Sequence, residues 1–175
     1  VKLVRAINSI VNTAGNKANY EICLRVHSDD AMTLAMIPEI LHLGNVRIHI
    51  GPPLDWAHNY QAFNEAQQIS RGTWAWLFND DCVMEGSNWD AQLINAPIGI
   101  AIPEIHRLGK STYHHDRAIP MFAMPNVRVD GEWMPRDGDN GLWNRYKDFT
   151  PHWLTGITVW HDRAEDDCHK INEGL

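Results

Sequence analysis

Residues 72–90, Gly-Thr-Trp-Ala-Trp-Leu-Phe-Asn-Asp-Asp-Cys-Val-Met-Glu-Gly-Ser-Asn-Trp-Asp, decide how the rest of the chain is read. Trp74 to Phe78 form an unbroken apolar run. Gly72 bounds it on one side and Asn79-Asp80-Asp81 on the other. A short apolar run between turn signals predicts a strand buried on both faces, as in a parallel sheet. Two adjacent carboxylates then fall where that strand ends. Ligands of open α/β sheets bind beyond the carboxyl ends of the strands. Paired carboxylates there repel each other and lose hydration unless a cation neutralises them. A hard divalent ion, Mg²⁺ or Mn²⁺, held by oxygens and by substrate phosphates, is the simplest partner. The plainer alternative is that Asp80 and Asp81 open a solvated turn, where Asp is common.

Working outward, the chain alternates. Leu3, Ala6, Ile7, Ile10 and Val11 recur at helical spacing within residues 2–12, which predicts an amphipathic helix. Turn residues fill 12–19, and 21–26 read as a strand ending in His27-Ser28-Asp29-Asp30. A helix is expected over 31–43, with Pro38 near the first turn of a second segment or at a kink, and Gly44 as its stop. Val46 to Ile50 alternate as a strand, broken by Gly51-Pro52-Pro53. Asp55 is a candidate N-cap for a helix whose buried face carries Ala57, Tyr60, Phe63, Ala66 and Ile69, with Gly72 at its C′ position. Trp89 to Ile94 suggest a short helix, and 98–102 another buried strand. The expected fold is therefore α/β, a three-layer α/β/α arrangement with a mostly parallel sheet.

Beyond 103 the pattern loosens. Residues 104–118 read as a polar loop, and 121–125 as a short strand. Turn residues dominate 130–141, and 142–149 suit one or two helical turns. Residues 154–160 read as a last strand, followed by His161-Asp162 and the acidic run Glu165-Asp166-Asp167. A single domain spans 1–175, with a nucleotide- and metal-binding half over 1–103 and an acceptor-side half over 104–175.

Composition narrows the function classes. The chain has 175 residues and a formal net charge of −7, so no broad basic surface points to nucleic acid. Eight Trp supply core volume or stacking surfaces for sugars and bases. Cys23, Cys82 and Cys168 are odd in number and lack a CxxC pair, which argues against a disulfide framework or zinc ribbon and suits a reducing, cytoplasmic compartment. No apolar run reaches the ~18 residues of a membrane span.

The ordered motifs resemble a GT-A fold glycosyltransferase of the family 2 kind. They run strand, Asp-Asp, helix, strand, Asn within a helix, Gly, then an apolar strand ending in Asp-Asp. Asn64 followed by Ser70-x-Gly72 is similar to that family's Asn…Ala-x-Gly run. Asn79-Asp80-Asp81 is similar to its Asp-x-Asp motif, with Asn79 in place of the first Asp. Asp139 falls where such enzymes place a catalytic Asp, and His161 where a histidine often completes the metal site.

The resemblance implies transfer of a sugar from a nucleotide-sugar donor to a saccharide or other hydroxyl acceptor, by inversion. It implies Mn²⁺ or Mg²⁺ held by Asp81 with Asp80 or His161. It places Arg25, Asp29, Asp30, Asn64 and Asp80 at the nucleotide. It offers Asp139, then Asp137, as the base that takes the acceptor proton, with Trp133 and Trp143 flanking that loop. It also implies a first strand that these residues do not supply, so the gap is expected to be filled by dimerisation, strand swapping or another segment.

Plainer roles remain open for several of these. Asp29 and Asp30 suit helix capping, Asp139 suits a Gly-Asp-Asn-Gly turn, and His161 suits a strand end. Two other functions stay in view: a non-catalytic GT-A-like domain that binds nucleotide or metal weakly, and a metal-dependent hydrolase or nucleotidyltransferase on the same carboxylates.

Overall fold

The computed structural model describes residues 2–107, 122–129, 131–136, 138–146 and 148–161. The chain is mixed α/β. The helices are α1 (Lys2–Thr13), α2 (Ala31–Leu43), α3 (Asn59–Gln68), α4 (Trp89–Asn95) and α5 (Gly138–Tyr146). The strands are β1 (Ile22–His27), β2 (Val46–Gly51), β3 (Trp74–Trp76), β4 (Cys82–Glu85), β5 (Ile100–Arg107), β6 (Ala123–Pro125) and β7 (Pro151–His161). None of the described helices is long and apolar enough to cross a membrane.

The strands form two sheets. Among the described residues, β1 pairs in parallel with β2 alone, and the other five strands are ordered β3-β6-β5-β7-β4. The pairing is mixed among the described residues: β1·β2 and β5·β7 are parallel, whereas β3·β6, β5·β6 and β4·β7 are antiparallel. Parallel neighbours need a crossover of a dozen or more residues, usually a helix. The chain supplies α2 between β1 and β2, but only residues 77–81 between β3 and β4.

That short link constrains the whole sheet. β3 and β4 lie at opposite edges of the five strands. Four inter-strand steps span about 19 Å, and six residue steps reach at most about 20 Å. Residues 79–82 form a turn, closed by the Cys82 N–H donating to the Asn79 carbonyl at 3.1 Å. The link is therefore not fully extended, and the sheet must curl so that its two edges approach. Trp76, from one edge, meets Trp89 edge to face at 5.6 Å.

Local chemistry explains where elements begin and end. α1 buries Ala6, Ile7 and Val11 on one stripe, and its Thr13 hydroxyl closes the last turn on the Ser9 carbonyl at 2.6 Å. Ser9 Oγ accepts the Met84 N–H at 2.9 Å, so α1 covers the edge strand β4 and blunts it. Asp30 caps α2, accepting the Thr33 N–H at 3.0 Å. Asp55 caps a 3-10 turn, Trp56–His58, that precedes α3. α3 ends at Ile69 rather than running to a C′ glycine at 72.

β5 runs past Pro103, where sequence reading stops it. Proline removes a ladder donor, and the register shifts between Ile102 and Glu104 to absorb the loss. β7 takes up the difference in the irregular stretch that contains Gly156 (φ +69°). Its early part lacks a strand on the outer side among the described residues. There, the Gln92 side chain donates to the Thr155 carbonyl and accepts the Thr155 N–H, at 3.0 and 2.8 Å.

Alternation along β5 feeds two cores. Ala101 and Ile105 join Ile7, Ile22, Ile40, Cys82, Met84 and Val159. Ile100 and Ile102 join Leu77, Phe122, Met124, Trp133 and Leu142 on the other face. The first core is shared by both sheets: Leu24, Val46 and Ile48 pack against it alongside Trp74 and Trp76.

Candidate functional site

β3, β5 and β7 run the same way, and β4 and β6 run against them. The end of β3, the start of β4 and the end of β7 therefore meet at one edge of the sheet. Asp81 sits just before β4, and His161 is the last residue of β7. Cys82 and His161 are direct partners across the β4·β7 ladder. Directly opposed residues place their side chains on the same face. An extended Asp81 would point to the other face, but the Asn79–Cys82 turn swings it back.

His161 Nε2 and Asp81 Oδ2 are 3.0 Å apart. Cys82 Sγ lies 3.7 Å from Asp81 Oδ1. One ligand atom from each of the three lies within 4.8 Å of the others. His161 is 3% exposed and Cys82 is fully buried. His161 Nδ1 has no hydrogen-bond partner among the described residues. Burial pushes the Asp81 carboxyl up. The hydrogen bond and charge of His161, its own backbone N–H and the Cys82 thiol outweigh that and hold it below the ordinary carboxylate range. Burial, and then the Asp81 charge, push the Cys82 thiol well up. A half-buried carboxylate that converges with a buried imidazole and thiol in this way is a donor set for a divalent ion.

Of the residues singled out in the sequence, Asp81 and His161 are brought together. Asp80 lies in the same turn and is exposed. Asp29 and Asp30 lie in an exposed turn after β1, in the other sheet. The Thr33 hydrogen bonds hold the Asp30 carboxyl below its ordinary range.

Arg25 is buried between β1 and α3. Its Nε donates to Glu65 Oε2 at 2.8 Å and its Nη2 to the Pro52 carbonyl. Its Nη1 is buried without a partner among the described residues. Asn64 has an engaged amide. Oδ1 accepts the Trp133 and Met134 N–H groups at 2.8 Å each, and Nδ2 donates to the Met134 carbonyl at 2.8 Å. Asp139 falls in the first turn of α5 rather than in a free loop. Asp137 lies outside the described residues, as do His114-His115 and the acidic run after His161.

Cys82 is the member that sequence reasoning missed. It stands beside Asp81 in the stretch quoted first, but β4 was not foreseen, so nothing paired it with position 161. No family model matches the chain, and no curated protein does. The geometry alone bears on what the site does.

Proposed function

We propose that the chain is a metal-dependent glycosyltransferase that takes its sugar from a nucleotide-sugar donor. The observation that carries this reading is the Asp81–His161 pair, where the turn into β4 meets the carboxyl end of β7. In the GT-A-like reading, Asp81 and His161 hold a divalent ion, Mn²⁺ or Mg²⁺, with Asp80 available from the same turn. The ion, when bound, supplies Lewis-acid stabilisation for the diphosphate leaving group. Asp29 and Asp30 offer acceptors for base or ribose donors, and Arg25 retains one uncommitted guanidinium nitrogen among the described residues. Asp139, with Asp137 second, is the proposed base for the acceptor hydroxyl. The acceptor is a saccharide or another hydroxyl compound.

A second reading, a GT-A-like binding module without turnover, draws on one observation. Three of the five proposed nucleotide residues, Arg25, Asp30 and Asn64, have polar atoms committed to the fold.

A thermal-shift titration with Mn²⁺ and a panel of nucleoside diphosphates tests both. A ligand that binds only the native state raises the melting temperature by mass action. The expected result is a rise that needs metal and one nucleotide together and disappears in Asp81→Ala. Product analysis with the matching sugar nucleotide then separates the outcomes. Transfer to a sugar acceptor supports the enzyme, binding without turnover supports the module, and release to water or nucleotidyl transfer points to a different reaction.

A further inference from the structure

Cys82 belongs to the donor set described above, but the proposed function assigns it no role. It opens β4 directly opposite His161. Its Sγ is 3.7 Å from one Asp81 oxygen, while the other oxygen is 3.0 Å from His161 Nε2. A four-coordinate zinc-class ion binds sulfur at about 2.3 Å and nitrogen or oxygen at about 2.0–2.2 Å, so its ligand atoms stand about 3.3–3.7 Å apart. The two separations straddle that range, and all three donors already lie within 4.8 Å. With each separation no more than 4.8 Å, side-chain shifts of about an ångström or less would close the cage, leaving its fourth position for substrate or water. Mg²⁺ asks for something else: octahedral oxygen ligands, with no place for a thiolate.

We propose that Cys82 Sγ is a third protein ligand, and that it makes this site select a zinc-class, sulfur-accepting ion over Mg²⁺. The proposal rests on the metal site given above, but replaces its Mn²⁺ or Mg²⁺ with a zinc-class ion. The thiol proton leaves to solvent as the ion binds, since the thiolate is the ligand. A second feature belongs to the same corner: His161 is buried with one ring nitrogen unpartnered among the described residues. Asp81 is the ring's hydrogen-bond partner at Nε2, so an ion between the two exchanges one polar contact for a stronger one. The three donors also differ in hardness, and a mixed nitrogen, oxygen and sulfur set is a zinc-type coordination sphere.

Cobalt substitution tests this without relying on activity. Co²⁺ added to the metal-free chain under anaerobic conditions should produce sulfur-to-cobalt charge-transfer absorption in the near ultraviolet. It should also give the intense visible bands of four-coordinate cobalt. Stoichiometric Zn²⁺ should remove both, and a large excess of Mg²⁺ should not. Cys82→Ser should abolish the charge-transfer band, while Cys23→Ser and Cys168→Ser retain it. X-ray absorption of the zinc-loaded wild-type chain reads a sulfur neighbour directly, so the test survives if Cys82→Ser fails to fold.

Cobalt that binds without a sulfur band, and is lost in Asp81→Asn, would overturn the role of Cys82 and leave the metal site standing. A band that persists in Cys82→Ser would also overturn it. No binding of any divalent ion would overturn both readings together.

Discussion

Asp90 shows what a buried carboxylate looks like when the fold has satisfied it completely. At 2% exposure, it accepts the Gly15 and Asn16 N–H groups at 2.7 and 3.0 Å and the Asn19 amide at 2.8 Å. Burial raises its carboxyl, but these donors together hold it below the ordinary range. Its folded value is therefore depressed, and the stability it contributes is present above the unfolded value of about 4. That contribution is lost as pH falls through the folded value. Asp90→Asn should cost about 1–3 kcal/mol near neutral pH, or roughly 2–10 °C in melting temperature for a chain of this size. The melting temperatures of the two proteins should draw together as pH falls below about 4.

Asp81 differs because its side-chain partners are an imidazole and a thiol, beside its own backbone N–H. In the sequence the two aspartates look alike, each beside a strand or helix boundary. Turn chemistry made the Asp81 corner legible, since Asn-Asp-Asp after an apolar run marks a strand end. The Asp90 hub depends on a contact about 75 positions away, which no local pattern encodes.

Among the elements, Asn64 on α3 acts as a clamp for the segment around Trp133 and Met134. Removing it leaves two N–H donors and a carbonyl unmet beside a buried indole. Asn64→Ala should cost about 2–4 kcal/mol, read as a lowered denaturation midpoint with an unchanged slope. The β4 terminus depends on Gly86, whose φ is +111°. A Cβ there would stand 2.2 Å from the Gly156 carbonyl oxygen. Gly86→Ala should destabilise by roughly 3 kcal/mol or more, from strained backbone and the clash together. Equilibrium unfolding measures it, and Gly131→Ala, where nothing lies within 4 Å of the added carbon, isolates the backbone share.

Most helices and strands were legible from periodicity and caps. β4 was not, because Cys-Val-Met-Glu is too short to show a period. The continuation of β5 was hidden by Pro103, which normally ends a strand and here is absorbed by a register shift.

For the whole molecule, alternating apolar runs were enough to indicate a mixed α/β chain, since periodicity is local. Which strands pair is decided by distant contacts and by link lengths. β1 and β2 stand apart from the other five strands, joined to them by shared core and by polar ties. In one such tie, Glu21 accepts the Arg71 and Gly72 N–H groups. Among the described residues, β1 and β3 each pair with one strand only. Hydrogen exchange should therefore be slowest in central β5 and markedly faster in β1 and β3. If a second copy pairs with those edges, as the resemblance led us to expect, their protection should rise with protein concentration, with a matching increase in mass by light scattering. Concentration-independent exchange would mean that the edges stay open.

The boundary between the two sheets has a practical meaning as well. Among the described residues it is crossed by side chains and by no strand ladder, and just after β2 the chain passes through the exposed pair Pro52-Pro53. A cut at that dipeptide severs no sheet. Co-expressed as two pieces, residues 2–52 and the remainder would carry complementary halves of one apolar interior, and reassembly would read as recovered folding. The fold is in this sense already divided, and the covalent link serves mainly to keep the halves at high effective concentration.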